Sequence, residues 1–160
     1  MSGRVGIGYD VHPFASENGR ALILGGVFFP GEQGLAGHSD ADVVAHAVAD
    51  AMLGAAGLGD LGTHFADTDE RWAGASSIDI LTAVADIVGK SGYRLSNADC
   101  TVVGERPRLA PVRAEMIERL SAAARGPVHV KATRPERLGA LGREEGIACV
   151  AVALLEEMKR

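Results

Sequence analysis

The chain has 160 residues, 47% of them hydrophobic and 23% charged, with a formal net charge of −5. That length suits a single domain over residues 1–160 with a sizeable core, and the acidic balance with scattered Lys and Arg excludes nucleic acid or an anionic membrane as the expected partner. Only 4% of residues are aromatic while Gly alone numbers 21, so packing must rest on small side chains and close backbone approaches.

"RVGIGYDVHPF" and "ALILGGVFFP" read as strands separated by the turn-rich "SENGR". On the first, Asp10 and His12 share one face and Val11 takes the other. A carboxylate beside an imidazole either grips a metal ion or forms a hydrogen-bonded pair at a strand end. "HSDADVVAHAVADAMLGAAG" reads as a helix, with Val44, Val48, Ala51 and Ala55 at spacings of three and four, and Gly57 as its stop. Ser39 followed by Asp42 fits an N-cap and capping box. Asp42, His46 and Asp50 fall along one face, apart from the apolar stripe. That face is either solvated or an imidazole flanked by carboxylates that hold its tautomer for a metal.

"GLGDLGTHFADTDERWAGA" shows no period and reads as a loop, long enough to be functional or mobile. "SSIDILTAVADIVGKSG" is a second helix, capped by Ser76 or Ser77 and stopped at Gly92. "NADCTVVGE" is a strand, "APVRAEMIERLSAAAR" a third helix entered through Pro111, and "PVHVKAT" and "GIACVAVALLE" two more strands. "RPERLGALGREE" between them is another loop. With no repeat, no linker and no Gly-rich phosphate fingerprint, the expected fold is α/β (α+β): a two-layer sandwich, helices packed on one face of a mixed sheet. Cys100 and Cys149 stand in apolar stretches outside any C-x-x-C pair and read as buried free thiols. With no signal-peptide pattern and no membrane-length apolar run, a cytoplasmic protein is expected.

Together, Asp10, His12 and His46 make two imidazoles and a carboxylate. This is the ligand count of a catalytic zinc site, which leaves the fourth position open. His38 sits just before the helix N-terminus, where backbone N–H groups favour an anion, so His38 and Ser39 read as phosphate contacts. His64 and His129 read as surface or satisfied-core histidines.

"GYDVHPF", "LGGV", "GLAGHSDADVVAHAVADAMLGAAGLGDLGTHFADTD", "VKAT" and "GREEGIACVAVALL" stand in the order and approximate spacing of one known family. Over nearly its whole length the chain resembles the 2-C-methyl-D-erythritol 2,4-cyclodiphosphate synthases of non-mevalonate isoprenoid biosynthesis. The resemblance implies a phosphorus–oxygen lyase acting on 4-diphosphocytidyl-2-C-methyl-D-erythritol 2-phosphate, with release of CMP. It implies zinc on Asp10, His12 and His46, and Mg²⁺ or Mn²⁺ on Glu136. His38 matches a transition-state contact, and Ser39 its phosphate-binding neighbour. Asp10, Val11 and His12 match a substrate-binding segment. Asp60, Leu61, Gly62, Phe65, Ala66, Asp67, Thr68 and Asp69 match the loop that holds the methylerythritol end.

The same resemblance places the cytidine pocket at Gly104, Glu105, Arg106, Pro107, Arg108, Leu109 and Ala110, with Ala132 and Thr133. It implies a homotrimer with each active site between two subunits. The chain departs from the family pattern at "TRPE". Arg134 replaces a transition-state Thr and Pro135 another Thr, while Ala140 stands where Phe is common, and "LGREEG" around Arg143 is altered. Pro135 makes Arg134 extended, and its guanidinium either reaches a phosphate in the lost hydroxyl's place or points to solvent.

Overall fold

The computed structural model describes residues 3–17 and 19–158. In chain order they form β1 (Gly3–Pro13), β2 (Leu22–Leu24), β3 (Val27–Phe29), α1 (Val43–Ala56), α2 (Leu61–His64), a 3₁₀ turn (Glu70–Trp72), α3 (Ser77–Lys90), β4 (Tyr93–Val103), α4 (Arg113–Ala124), β5 (Val128–Thr133), α5 (Gly139–Gly142) and β6 (Gly146–Glu157). One mixed sheet runs β1–β6–β4–β5, with β6 antiparallel to both neighbours and β4 parallel to β5. Helices α1, α3 and α4 cover one face. This is the expected two-layer arrangement.

Composition explains how α1 reaches the sheet. A Cβ on Gly8 would lie 2.0 Å from the carbonyl oxygen of Ala47, and one on Gly6 would lie 2.1 Å from that of Ala51. Two glycines on β1 and alanines on α1 therefore let backbone meet backbone. Helix α1 is enveloped: of its residues, His46, Asp50 and Gly54 alone escape full burial. The apolar stripe expected from the sequence is thus nearly the whole circumference, as a central helix requires.

The other sheet face carries Val5, Ile7, Tyr9 and Val11 of β1, at 68%, 68%, 59% and 46% exposure. They stand opposite Leu154, Val152, Val150 and Ala148 of β6. An apolar area of this kind marks an interaction surface.

Several local expectations are corrected. "ALILGGVFFP" is not one strand but the hairpin β2–β3, a separate two-stranded sheet. Gly25 and Gly26 turn it with φ +57° and +74°, as a two-residue hairpin loop demands. Ser39 is not the N-cap of α1. Asp42 is: its Oδ1 accepts from Val44 and Ala45 at 3.0 and 3.2 Å. The 57–75 loop holds two short helical turns, α2 capped by Asp60 and the 3₁₀ turn capped by Asp69. The 134–145 loop holds α5. Elements of three or four residues are too short to show a period. Helix α3 takes Ser76 as N-cap and Ser91 as C-cap, with Gly92 just beyond at φ +91°. Helix α4 starts at Arg113, two residues after Pro111.

Cys100 and Cys149 are free and buried; the Cys100 thiol and burial together push the Cys149 thiol far up. Among the described residues no helix is long and apolar enough to cross a membrane.

Candidate functional site

Strand β1 and helix α1 bring Asp10, His12 and His46 together. They offer one ligand atom each, all within 4.8 Å of one another. Asp10 Oδ2 lies 3.1 Å from His12 Nε2 and 3.0 Å from His46 Nδ1. The outer ring nitrogens are also held. His12 Nδ1 donates to the Ala36 carbonyl at 2.6 Å, and His46 Nε2 lies 2.8 Å from Ser77 Oγ. Each imidazole therefore turns its inner ring nitrogen toward Asp10; once unprotonated, those two nitrogens and the carboxylate make the donor set a divalent metal needs. Burial pushes the Asp10 carboxyl up, but hydrogen bonds and charge from His12 and His46 outweigh it and hold it well below the usual carboxylate range. The bond to Asp10 raises His12, against burial.

The carboxylates one helical turn from His46 do other work than the sequence suggests. Asp42 is fully buried and accepts from Gly25 N at 2.9 Å and Gly26 N at 2.7 Å besides capping α1. Burial pushes its carboxyl up, and those N–H groups pull it back. Because Asp42 occupies the first-turn donors, the α1 N-terminus is not open to an anion beside His38. Asp50 accepts from Leu61 N at 3.1 Å and so ties α2 to α1. Burial, followed by the Asp60 and Asp10 charges, raises it despite that bond.

A cavity of about 340 Å³ opens over the triad, lined by Asp10, His12, His38, Ser39, His46 and Phe65, with Gly37, Leu61, Asp67, Trp72 and Ile80. His38 Nε2 reaches the Asp69 carbonyl at 3.2 Å, so its ring is held against the 65–69 segment. Asp60 instead turns onto Thr63, accepting from its N at 2.8 Å and its Oγ1 at 2.7 Å. Gly62, Ala66, Thr68 and Asp69 give no side chain to this wall, and Asp69 pairs with Arg71. Val11 points to the opposite sheet face, as strand alternation requires, so its side chain cannot touch a ligand here.

Sequence reasoning missed four residues. Arg20 donates to the carbonyls of Gly37 and Ser39 at 2.9 and 2.5 Å. Trp72 packs edge-on to Phe65, ring centroids 4.8 Å apart, and its buried Nε1 has no partner. Ser77 and Asp40 stand behind His46. Arg20, Asp40 and Ser77 act on groups far away in sequence, Trp72 sits in the same aperiodic loop as Phe65, and only the capping reading touched Ser77.

A second cavity of about 260 Å³ lies where β4 and β5 end. Gly104, Glu105, Pro107, Arg108, Leu109, Ala110, Ala132, Thr133 and Arg134 line it, with Arg113. Arg106 is corrected: its side chain leaves this wall. The guanidinium sits 4.5 Å over the Phe14 ring, donates to Glu32 at 2.8 Å and Glu144 at 3.0 Å, and so pins the 104–110 segment to the end of β1. Pro135, Glu136, Ala140 and Arg143 line neither cavity. Glu136 is exposed at φ +54°, outside the metal cluster, and Arg143 pairs with Glu145 at 2.7 Å. His64 bonds the Leu58 carbonyl at 2.8 Å, and His129 is exposed on β5.

The sequence matches the YgbB family over residues 3–156. The chain belongs to that family. It is 54% identical over 157 residues to a 2-C-methyl-D-erythritol 2,4-cyclodiphosphate synthase of Geobacillus thermodenitrificans, covering 96% of this chain and 97% of that one. It is 53% identical to the synthase of Symbiobacterium thermophilum, over 94% of this chain and 97% of that one. A solved synthase in a CDP-bound form superposes with TM-score 0.85 at 36% identity, over 96% of this chain and all of that one. The bifunctional IspDF of Campylobacter jejuni gives TM-score 0.93 at 38% identity, and there the match spans 99% of this chain but 43% of the larger protein. This YgbB-family chain thus carries a divalent-metal donor set under one cavity and a second cavity at the far sheet edge.

Proposed function

We propose that this chain converts 4-diphosphocytidyl-2-C-methyl-D-erythritol 2-phosphate to 2-C-methyl-D-erythritol 2,4-cyclodiphosphate and CMP, in the cytoplasm. The observation that carries the reading is the Asp10–His12–His46 cluster under a cavity, in a chain whose near-full-length relatives bear the synthase name. The 2-phosphate oxygen bonds to the β-phosphorus, the bond from that phosphorus to the bridging oxygen breaks, and CMP leaves with the bond's electron pair. The nucleophile is already an anion. No side-chain nucleophile is required, and the work is positioning and charge stabilisation.

The donor set of two imidazoles and a carboxylate suits zinc. When bound, the ion supplies a Lewis acid for a phosphate oxygen. His38 and Ser39 hold the phosphate from the loop side, and the 60–69 segment encloses the methylerythritol end. The 104–110 segment with Ala132 and Thr133 takes the cytidine, and Arg134 meets the diphosphate. Glu136 holds Mg²⁺ or Mn²⁺, for which an oxygen ligand is suited.

The active unit is a homotrimer. Asp10 and Ala132 share one row of the sheet, through Cys149 and Val102. They are three strand spacings apart, roughly 14 Å. Buried Cys149 and Val102 fill the space between them on the helix side. That separation, filled by packed side chains, favours a substrate that spans cavities of two neighbouring subunits over one that spans both cavities of one chain. The exposed Val5–Ile7–Tyr9–Val11 face supplies the apolar surface for that assembly.

Phosphorus NMR of the purified protein with the cytidine diphosphate substrate and divalent metal tests the activity. A cyclic diphosphate with CMP is expected; a free monophosphate would mean a metal-dependent hydrolase and overturn the reading.

A further inference from the structure

Behind the metal cluster lies a partly buried chain of side chains that the proposed reaction does not use. Ser77, the first residue of α3, is completely buried. Its Oγ lies 2.8 Å from His46 Nε2 and is hydrogen-bonded to Asp40 Oδ1. Ser77 N donates to Asp40 Oδ2 at 3.1 Å, and Asp42 N donates to Asp40 Oδ1 at 3.2 Å.

The polarity of this chain follows from chemistry. The Asp40 carboxylate faces donors from both backbone groups and serves as acceptor. The Ser77 hydroxyl must then give its one proton to Asp40. Only its lone pairs remain for His46, so His46 Nε2 must carry the hydrogen. In the neutral ring that a metal requires, this leaves His46 Nδ1 unprotonated on the side facing Asp10, the side where His12 Nε2 also converges. Ser39 Oγ, 3.2 Å from His46 Nε2, is a second and longer acceptor.

We propose that Ser77 and Asp40 are positioning residues for the metal centre, an Asp40–Ser77–His46 relay that fixes the His46 ring with Nδ1 as the metal ligand. The inference rests on the zinc reading of the cluster and adds to it which nitrogen binds and what holds it there. The relay joins three segments, the 39–42 turn, α1 and the start of α3, so the ring is set only when all three are packed.

The test uses the full-length protein with zinc alone. Zinc affinity is measured by competition with a chromogenic chelator. The His46 ring proton and nitrogen shifts are read by NMR in the zinc-loaded state. For wild type, Nδ1 is expected to be metal-bound, with a slowly exchanging proton on Nε2. Ser77→Ala is expected to weaken zinc binding roughly 10- to 100-fold and to lose the slow ring proton. Asp40→Asn, which keeps size and does not empty a buried site, is expected to shift both readouts the same way by less, and carries the test if Ser77→Ala does not fold. A purely structural Ser77 would lower the melting temperature and move neither readout. Variants with zinc affinity within about twofold of wild type and the ring proton retained overturn the relay and leave the zinc reading standing. Zinc found on Nε2 overturns it equally. A wild-type protein that takes up no zinc overturns the metal reading itself, and the relay falls with it.

Discussion

The two ends of the sheet are built differently. At the β1 edge, the side chains of the metal cluster are partly buried, every outer ring nitrogen of His12 and His46 has a partner, and the helix beneath meets the strand backbone to backbone. At the β5 edge, Thr133, Arg134 and Glu136 are exposed, and the cavity wall is one irregular segment pinned from outside by Arg106. The first region is organised before any ligand arrives. The second offers reach, charge and backbone groups on an exposed wall. Rigid donors suit a metal, whose affinity depends on geometry; a flexible nucleotide diphosphate tolerates a looser wall.

Substitutions should separate the two regions, with changes near β1 altering metal content and changes near β5 leaving it alone. His46→Ala should have the largest effect: zinc content falls to near zero by metal analysis, and turnover drops by at least about 10³-fold. Full zinc with full turnover would remove His46 from the centre. Gly8→Ala attacks the same region through packing. The new Cβ would meet the Ala47 carbonyl, so α1 must lift from β1. A loss of about 3 kcal/mol in denaturant unfolding is expected, together with reduced zinc uptake. In the β5 region, Arg134→Ala should lower kcat/KM by roughly 2 to 4 kcal/mol, mainly in kcat, while zinc content stays at wild type. An unchanged kcat would return Arg134 to the solvated surface.

Arg106→Ala should be milder. It removes exposed or half-exposed pairs and the contact with Phe14, so a rise in the CMP dissociation constant worth about 1 kcal/mol is expected by calorimetry. A drop in zinc content would show that the two regions are coupled through Phe14 and β1. Glu136→Gln should keep zinc and move the Mg²⁺ or Mn²⁺ activation curve to higher concentration; an unchanged curve would exclude Glu136 from the second metal.

Asp10 and His12 were legible as a pair because strand alternation alone puts them on one face. His46 was legible because helical spacing puts it on one face with Asp42 and Asp50, apart from the apolar stripe. What holds them was not legible. Asp42 and Asp50 looked like partners of His46 at helical spacing, yet one is drawn into the β2–β3 turn and the other onto α2. Ser77 looked like a helix cap, yet its hydroxyl serves a ring 31 residues away. Arg106 looked like part of a pocket wall because its neighbours are, yet in an irregular segment nothing in the sequence states which way a side chain turns.

The alternation of strands and helices, the candidate metal donors and the family were all readable along the chain, because period, donor chemistry and long ordered motifs are local properties. It took the folded core to show that glycines on β1 admit α1 to backbone contact, that Asp42 rather than Ser39 caps it, and that the two cavities lie at opposite edges of one sheet. Those outcomes depend on distances between segments far apart in the chain, and such distances are set by how the whole core closes.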